Sequence, residues 1–271
     1  MTRVIAMRSA LLVSLALSVF VVLSSSSTSV GAQQNSQEPP DGAKAWVAPD
    51  PATIPQGPLG DSIRLGMHVF NETPKYAERY VGNKMSCTHC HIDGGTISGG
   101  IPIVGLPGIF PMYRDREKTV ITFEERIEQC FQRSENGHRV PNDGPEMTGL
   151  VAYAQWLSKD AVTGRQFPGR GLVNIPELNG DPAKGNEIYK EKCAVCHGAE
   201  GAGKPPLIPA LWGPGAYSDG AGMHLVAKMA AFVQHNMPQT DPGSLTPQEA
   251  YDVAAYVHSK PHEHFELKDH M

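Results

Sequence analysis

The sequence has no block of basic residues and no apolar run long enough to cross a membrane. With a formal net charge of −5, the first absence argues against an extended nucleic-acid surface. The apolar stretch at residues 10–23 is 14 residues long, interrupted by Ser14 and Ser18, whereas a spanning helix needs about 20. An alternation of strands and helices is also missing. That removes the setting in which a C-x-x-C pair works as a thioredoxin-like redox centre. Neither a calcium-binding nor a distal-base signature is present, which argues against a peroxidase. Cysteine is scarce at five residues. In an ordinary exported protein that number suggests two disulfides and a spare, but their placement says otherwise.

Loop-forming residues are abundant, with 28 Gly and 23 Pro in 271 residues. Hydrophobic residues make up 40% of the chain, enough for two small cores. Arg3 and Arg8 precede the short apolar run, and Val30-Gly31-Ala32 offers a small-residue cleavage site before Gln33. Residues 1–32 therefore read as an export signal, with an uncleaved anchor as the competing reading. Residues 33–57 form a polar, Pro-rich arm. The folded part is expected outside the cytoplasm, in the periplasm, with no stable membrane insertion after cleavage.

Beyond the arm the chain repeats itself. Cys87-Thr88-His89-Cys90-His91 and Cys193-Ala194-Val195-Cys196-His197 are both C-x-x-C-H, 106 residues apart. A helix is predicted before each: over Asp61, Ile63, Leu65, Met67 and Phe70 in the first copy; with Asp181 as N-cap and Pro182 at the first helical position in the second. Each copy also closes with a helix. Glu146 and Tyr153 in one match Glu249 and Tyr256 in the other, and Thr246 with Glu249 forms a capping box.

Two thiols bracketing two residues can form thioethers to both vinyl groups on one porphyrin edge, holding the next His under the iron. Zinc bound by Cys87, Cys90, Cys193 and Cys196 would leave both following histidines without a role. The expectation is a mainly α chain of two tandem class I cytochrome c-like domains, each with one covalent haem c. Domain 1 spans 58–165, a linker 166–179 and domain 2 180–271.

His91 and His197 are the proximal iron ligands on this reading. For the second haem, Met237 is the distal candidate among Met223, Met229 and His235, because Pro238 stops the helix and presents the thioether from a loop. It follows His197 by 40 residues; the same spacing after His91 falls next to Cys130, with Met112 much too early. A buried free thiol is the competing role for Cys130. Its surroundings argue against that. Thr122 and Glu125 form a capping box, and Asn136-Gly137 ends the helix, so Arg126, Cys130 and Ser134 stack at i, i+4 and i+8. A guanidinium one turn from a thiol favours the iron-binding thiolate. The histidines of the C-terminal tail (258, 262, 264 and 270) are expected to be solvated.

Glu125-Arg126-Ile127, Cys130, Arg133-Ser134 and Asn136-Gly137, with Asn236-Met237-Pro238, closely resemble the dihaem thiosulfate dehydrogenases over roughly residues 60–260. The resemblance implies coupling of two thiosulfates to tetrathionate, or the reverse, on a His/Cys-ligated haem. Electrons would pass to the second haem and on to an acceptor such as another c-type cytochrome. It also implies that Arg116, Arg126 and Ser134 line the substrate site with Cys130. Asn236 stands where some relatives carry a lysine that competes for the iron. The chemistry is consistent: two dianions must meet, and guanidiniums offset their repulsion through charge-assisted bonds. Surface ion pairing with Glu124, Glu125 and Glu128 is the competing role for the arginines. Two other functions remain open: a passive electron carrier, and a cytochrome subunit of a sulfur-oxidising complex.

Overall fold

The computed structural model describes residues 46–270. The expected export signal and most of the polar arm lie outside the described residues. Helix α1 (Pro58–Asn71) starts at Gly57 with Pro58 in its first position, where a missing N–H costs nothing. Its buried face is Ile63, Gly66, Val69 and Phe70. Single-turn helices α2 (Thr73–Tyr76) and α3 (Ile92–Gly95) flank the first C-x-x-C-H. Strands β1 (Met112–Arg114) and β2 (Thr119–Ile121) pair antiparallel with Tyr113 opposite Val120. They lead into α4 (Phe123–Gln129), and α5 (Pro145–Leu157) closes the lobe.

The second lobe follows the same plan. Helix α6 (Pro182–Ile188) is capped by Asp181, whose carboxylate accepts from the backbone N–H groups of Ala183 and Lys184. The turn α7 (Ala194–His197) carries the second motif, then α8 (Val226–Asn236) and α9 (Pro247–His258) follow. The expected capping boxes at Thr122/Glu125 and Thr246/Glu249 are both formed.

In each lobe the first and last helices cross at a glycine. A Cβ on Gly66 would lie 1.8 Å from the Gly149 carbonyl oxygen, and one on Gly185 1.9 Å from that of Asp252. The crossings bring backbones into contact that no side chain could separate. Around the first sit Val69, Phe131, Met147 and Tyr153; around the second, Tyr189, Ala230, Tyr251 and Val257. Each of the large apolar side chains among these contributes about 1.5–3 kcal/mol when fully buried.

The lobes interlock. Met85, which precedes the first motif, belongs to the core of the second lobe. Asn83 donates to the carbonyls of both Ser134 and Ala216, at 2.9 and 3.0 Å. The connecting segment lies along the first lobe through Gly99 N–H to Gly169 O and Ile101 N–H to Gly171 O.

The C-terminal tail corrects one expectation: it is not a solvated end. His258 and His262 are half-buried, and His270 is buried. Gln132 donates to the His270 carbonyl and His270 Nδ1 donates to the Gly137 carbonyl, each at 2.8 Å. The tail is thereby strapped onto the first lobe just beyond Cys130. Polar backbone groups that find partners there offset the entropy of ordering the tail. His264 alone is well exposed, paired with Asp219.

Candidate active site

Both C-x-x-C-H histidines are oriented the same way. His91 Nδ1 lies 2.6 Å from the Ile101 carbonyl, and His197 Nδ1 lies 3.1 Å from that of Pro209. A carbonyl can only accept, so Nδ1 carries the proton and Nε2 keeps its lone pair for a metal. Burial pushes His91 down to about 4, with nearby Arg126 adding to it, and lowers His197. Both rings are therefore neutral, as iron ligation requires.

Cys87, Cys90 and His91 line a cavity of about 650 Å³, within the usual range for cofactor pockets. Much of its wall is apolar, including Phe70, Ile103, Phe123 and Leu150. Cys130, Arg126 and Ser134 line the same cavity. Their stack is not a uniform α-helix: α4 passes into a π-turn over Cys130–Ser134, closed by Glu135 N–H to Cys130 O at 3.1 Å. Such wide turns recur at functional sites. Arg126 Nη1 donates to Cys130 Sγ at 3.2 Å. Met112 lies elsewhere, accepting a long contact from Arg170.

Arg116 is exposed beyond the end of β1 and donates to the Gly220 carbonyl at 3.4 Å; it does not line the cavity. Arg114, two residues earlier, does. Three further groups there escaped the sequence reasoning: Arg170 from the linker, Lys228 from α8, and Glu135. Burial depresses Lys228, and Arg116, Arg126 and Arg114 add to it. Burial likewise lowers Arg170, with Arg114 contributing, and Arg133, next to Arg116 and Arg126. Glu135 is pushed up to about 8 by burial, with Cys130 adding to it. Arg170 sits in a Gly-rich stretch with no periodicity, so nothing local marks it. Arg114 had a faint signal, being the start of an R-D-R run.

The second site is simpler. Met237 follows the last residue of α8 and, like Cys193, Ala194 and Leu211, is partly buried against the second core. Met223 and Met229 are buried packing residues, and His235 is turned to the Ser98 carbonyl. Asn236 is buried and donates to the Gly99 and Phe232 carbonyls. Cys196 and Val195 are exposed.

Residues 74–162 match the SoxA/TsdA cytochrome c domain, and residues 182–260 match cytochrome c. The chain is similar to the thiosulfate dehydrogenase of Stutzerimonas stutzeri, 39% identical over 224 residues, covering 80% of this chain and 73% of that one. It is also similar to the thiosulfate dehydrogenase of Allochromatium vinosum, 38% identical over 242 residues, covering 86% and 89%. This chain belongs to the thiosulfate dehydrogenase family. Among solved structures it is similar to the thiosulfate dehydrogenase (TsdBA) of Marichromatium purpuratum, with TM-score 0.75 and 39% identity. That match covers 80% of this chain and spans half of the other chain's length.

Two cytochrome c domains thus carry two covalently bound haem c groups, as the doubled motif implied. The residues fit the group: paired cysteines, a histidine with Nε2 free, and an apolar cavity beside the first pair. No helix among the described residues is long and apolar enough to cross a membrane.

Proposed function

We propose that this chain oxidises two thiosulfates to one tetrathionate, and also runs the reverse, with Cys130 as the reacting thiol. The observation that carries this reading is the Arg126–Cys130 pair at 3.2 Å in the cavity lined by Cys87, Cys90 and His91. Cys87 and Cys90 would hold the first haem, with His91 and Cys130 as the candidate iron ligands; Cys193 and Cys196 would hold the second, with His197 and Met237. Each bound haem takes up one electron at a time, which suits a reaction that releases two.

The chain's own residues do the rest. Arg126 donates to the Cys130 sulfur and draws a thiosulfate dianion towards it. Joining the Cys130 thiolate to the outer sulfur of thiosulfate forms one S–S bond and releases two electrons, leaving Cys–S–S–SO₃⁻. The outer sulfur of a second thiosulfate then attacks the sulfur bonded to Cys130. Tetrathionate leaves, and the Cys130 thiolate is restored with no further electron change. Ser134 offers a hydroxyl to the sulfonate, and Arg116 adds positive field at the rim. The apolar part of the wall lowers the local dielectric constant, so these charges are screened less than in bulk solvent.

Electrons leave through the second lobe to an external acceptor such as another c-type cytochrome. The exposed Val195 and Cys196 give such a partner access to the attachment edge. The protein works in the periplasm, where a covalently held cofactor cannot be lost.

The test is Cys130→Ala, assayed with thiosulfate and an artificial acceptor and no partner protein. Turnover is expected to vanish while haem staining still reports two attached groups. Undiminished turnover removes Cys130 from the reaction. An inactive wild-type chain that works only with a partner protein returns it to the class of electron carriers.

A further inference from the structure

The two C-x-x-C-H motifs part company at one position. His89 and Val195 each stand directly before the second cysteine, yet Val195 is 77% exposed and His89 only 9%. His89 is turned into the second lobe. Its Nδ1 accepts from the Ser86 N–H at 3.0 Å, so Nε2 carries the proton and donates to the Pro206 carbonyl at 2.8 Å. The stretch that carries it is itself anchored. Lys84 N–H donates to the Gly215 carbonyl at 3.1 Å, and Met85 is buried in the second core.

Pro206 lies at the tip of a small hairpin over residues 204–208, closed by Lys204 N–H to Ile208 O at 2.8 Å and Ile208 N–H to Lys204 O at 3.2 Å. Both ends of that hairpin meet the second motif. Gly203 N–H donates to the His197 carbonyl at 2.8 Å, and the Pro209 carbonyl accepts from His197 Nδ1 at 3.1 Å. Leu207, beside Pro206 at the tip, is exposed. We propose that His89 is a positioning residue for the second haem site. From inside the first attachment turn it holds the hairpin whose base orients the proximal ligand His197. The bond made by the free ring N–H of a ligating histidine sets how basic that ligand is, and the surroundings of the axial ligand tune a haem's potential. A change seated in the first motif therefore reaches the second haem. With electrons leaving through the second lobe, as proposed above, the first lobe tunes the site that receives them.

The experiment titrates the potentials of both haems in the haem-loaded protein, following each by its own absorption. His89→Asn puts its amide where Nδ1 was, keeping the Ser86 bond and falling short of Pro206. His89→Gln reaches the Nε2 position and keeps the donor to Pro206. A looser His197 bond makes a less basic ligand, so His89→Asn is expected to raise the second midpoint. The expected size is about threefold in the oxidised-to-reduced ratio at fixed potential, the scale of one partly lost neutral hydrogen bond. That is roughly 30 mV, at about 59 mV per tenfold. The first haem should keep its potential, and His89→Gln should restore the second. A shift confined to the first haem overturns the proposal, as does an equal shift in both variants or none in either. Should a variant fail to load haem, the wild type decides. Its His89 Nε2 proton should exchange with solvent as slowly as the Ile208 amide, and rapid exchange overturns the bridge. Neither measurement involves thiosulfate, so the coupling reaction stands or falls separately.

Discussion

Replacing Arg126 with glutamine removes the one charge that touches the reacting sulfur. At 3.2 Å, two unit charges interact by about 5 kcal/mol at an effective dielectric constant of about 20. The cavity opens to solvent and other cations surround it, so about half of that is expected to survive as differential stabilisation, roughly 2–3 kcal/mol. Converted to rate, this is a fall of about 30- to 150-fold in kcat/KM for thiosulfate. The assay is initial-rate oxidation of thiosulfate at saturating artificial acceptor and low salt, with haem content and circular dichroism as controls for folding. Arg126→Lys should lose less, because it keeps the charge and forfeits only the fork geometry. Raising ionic strength should slow the wild type more than Arg126→Gln. An Arg126→Gln protein within threefold of wild type, fully loaded and folded, would refute the electrostatic role assigned to this pair.

The helix crossings give a stability test that separates the lobes. Gly66→Ala places a Cβ 1.8 Å from a carbonyl oxygen and should cost about 3 kcal/mol or more, disturbing the first-haem spectrum first. Gly185→Ala, at 1.9 Å from its own carbonyl, should do the same to the second; equal effects on both haems from either change would argue against two glycine-dependent crossings. Acid should weaken the second lobe through His258, which burial holds down to about 4, with His224 and His262 adding to the effect. A depressed histidine costs nothing above its ordinary value of 6.5 and opposes folding as pH falls from there towards 4. Screened for its partial exposure, the loss is about 1–2 kcal/mol, and His258→Gln should flatten the fall in Tm between pH 7 and 4.5. Met237→Ala should leave the second haem covalently attached while changing its absorption and lowering its potential, with the first haem unaltered in a spectral titration.

Much of this site was readable because its chemistry is local in sequence. C-x-x-C-H puts both thiols and the proximal ligand within five residues, and the capping box at Thr122 fixed where α4 begins. From that start, Arg126, Cys130 and Ser134 could be placed on one face, although the π-turn after Gln129 widens their spacing from that of an α-helix. The position of Met237 just past α8 was legible for a similar reason, since Pro238 has to end the helix. Arg170 and Lys228 were not, because their place in the cavity wall depends on how the linker and the second lobe pack on the first. Neither a Gly-rich segment nor a polar position on α8 has a periodicity that points across the molecule. The tail was misread on the same ground. A run rich in histidine and acidic residues suggests solvent until Gln132 and Gly137 are seen to bond with His270.

A wall shared by two lobes also constrains how such a protein can change over generations. Because Lys228 of α8 and Arg170 of the linker line the same cavity as Cys130, deleting the second lobe would forfeit part of that wall together with the second haem. The pair should therefore be inherited as a unit. Innovation is free to act instead at the open edge around Val195, where a new redox protein could be accommodated without disturbing the chamber.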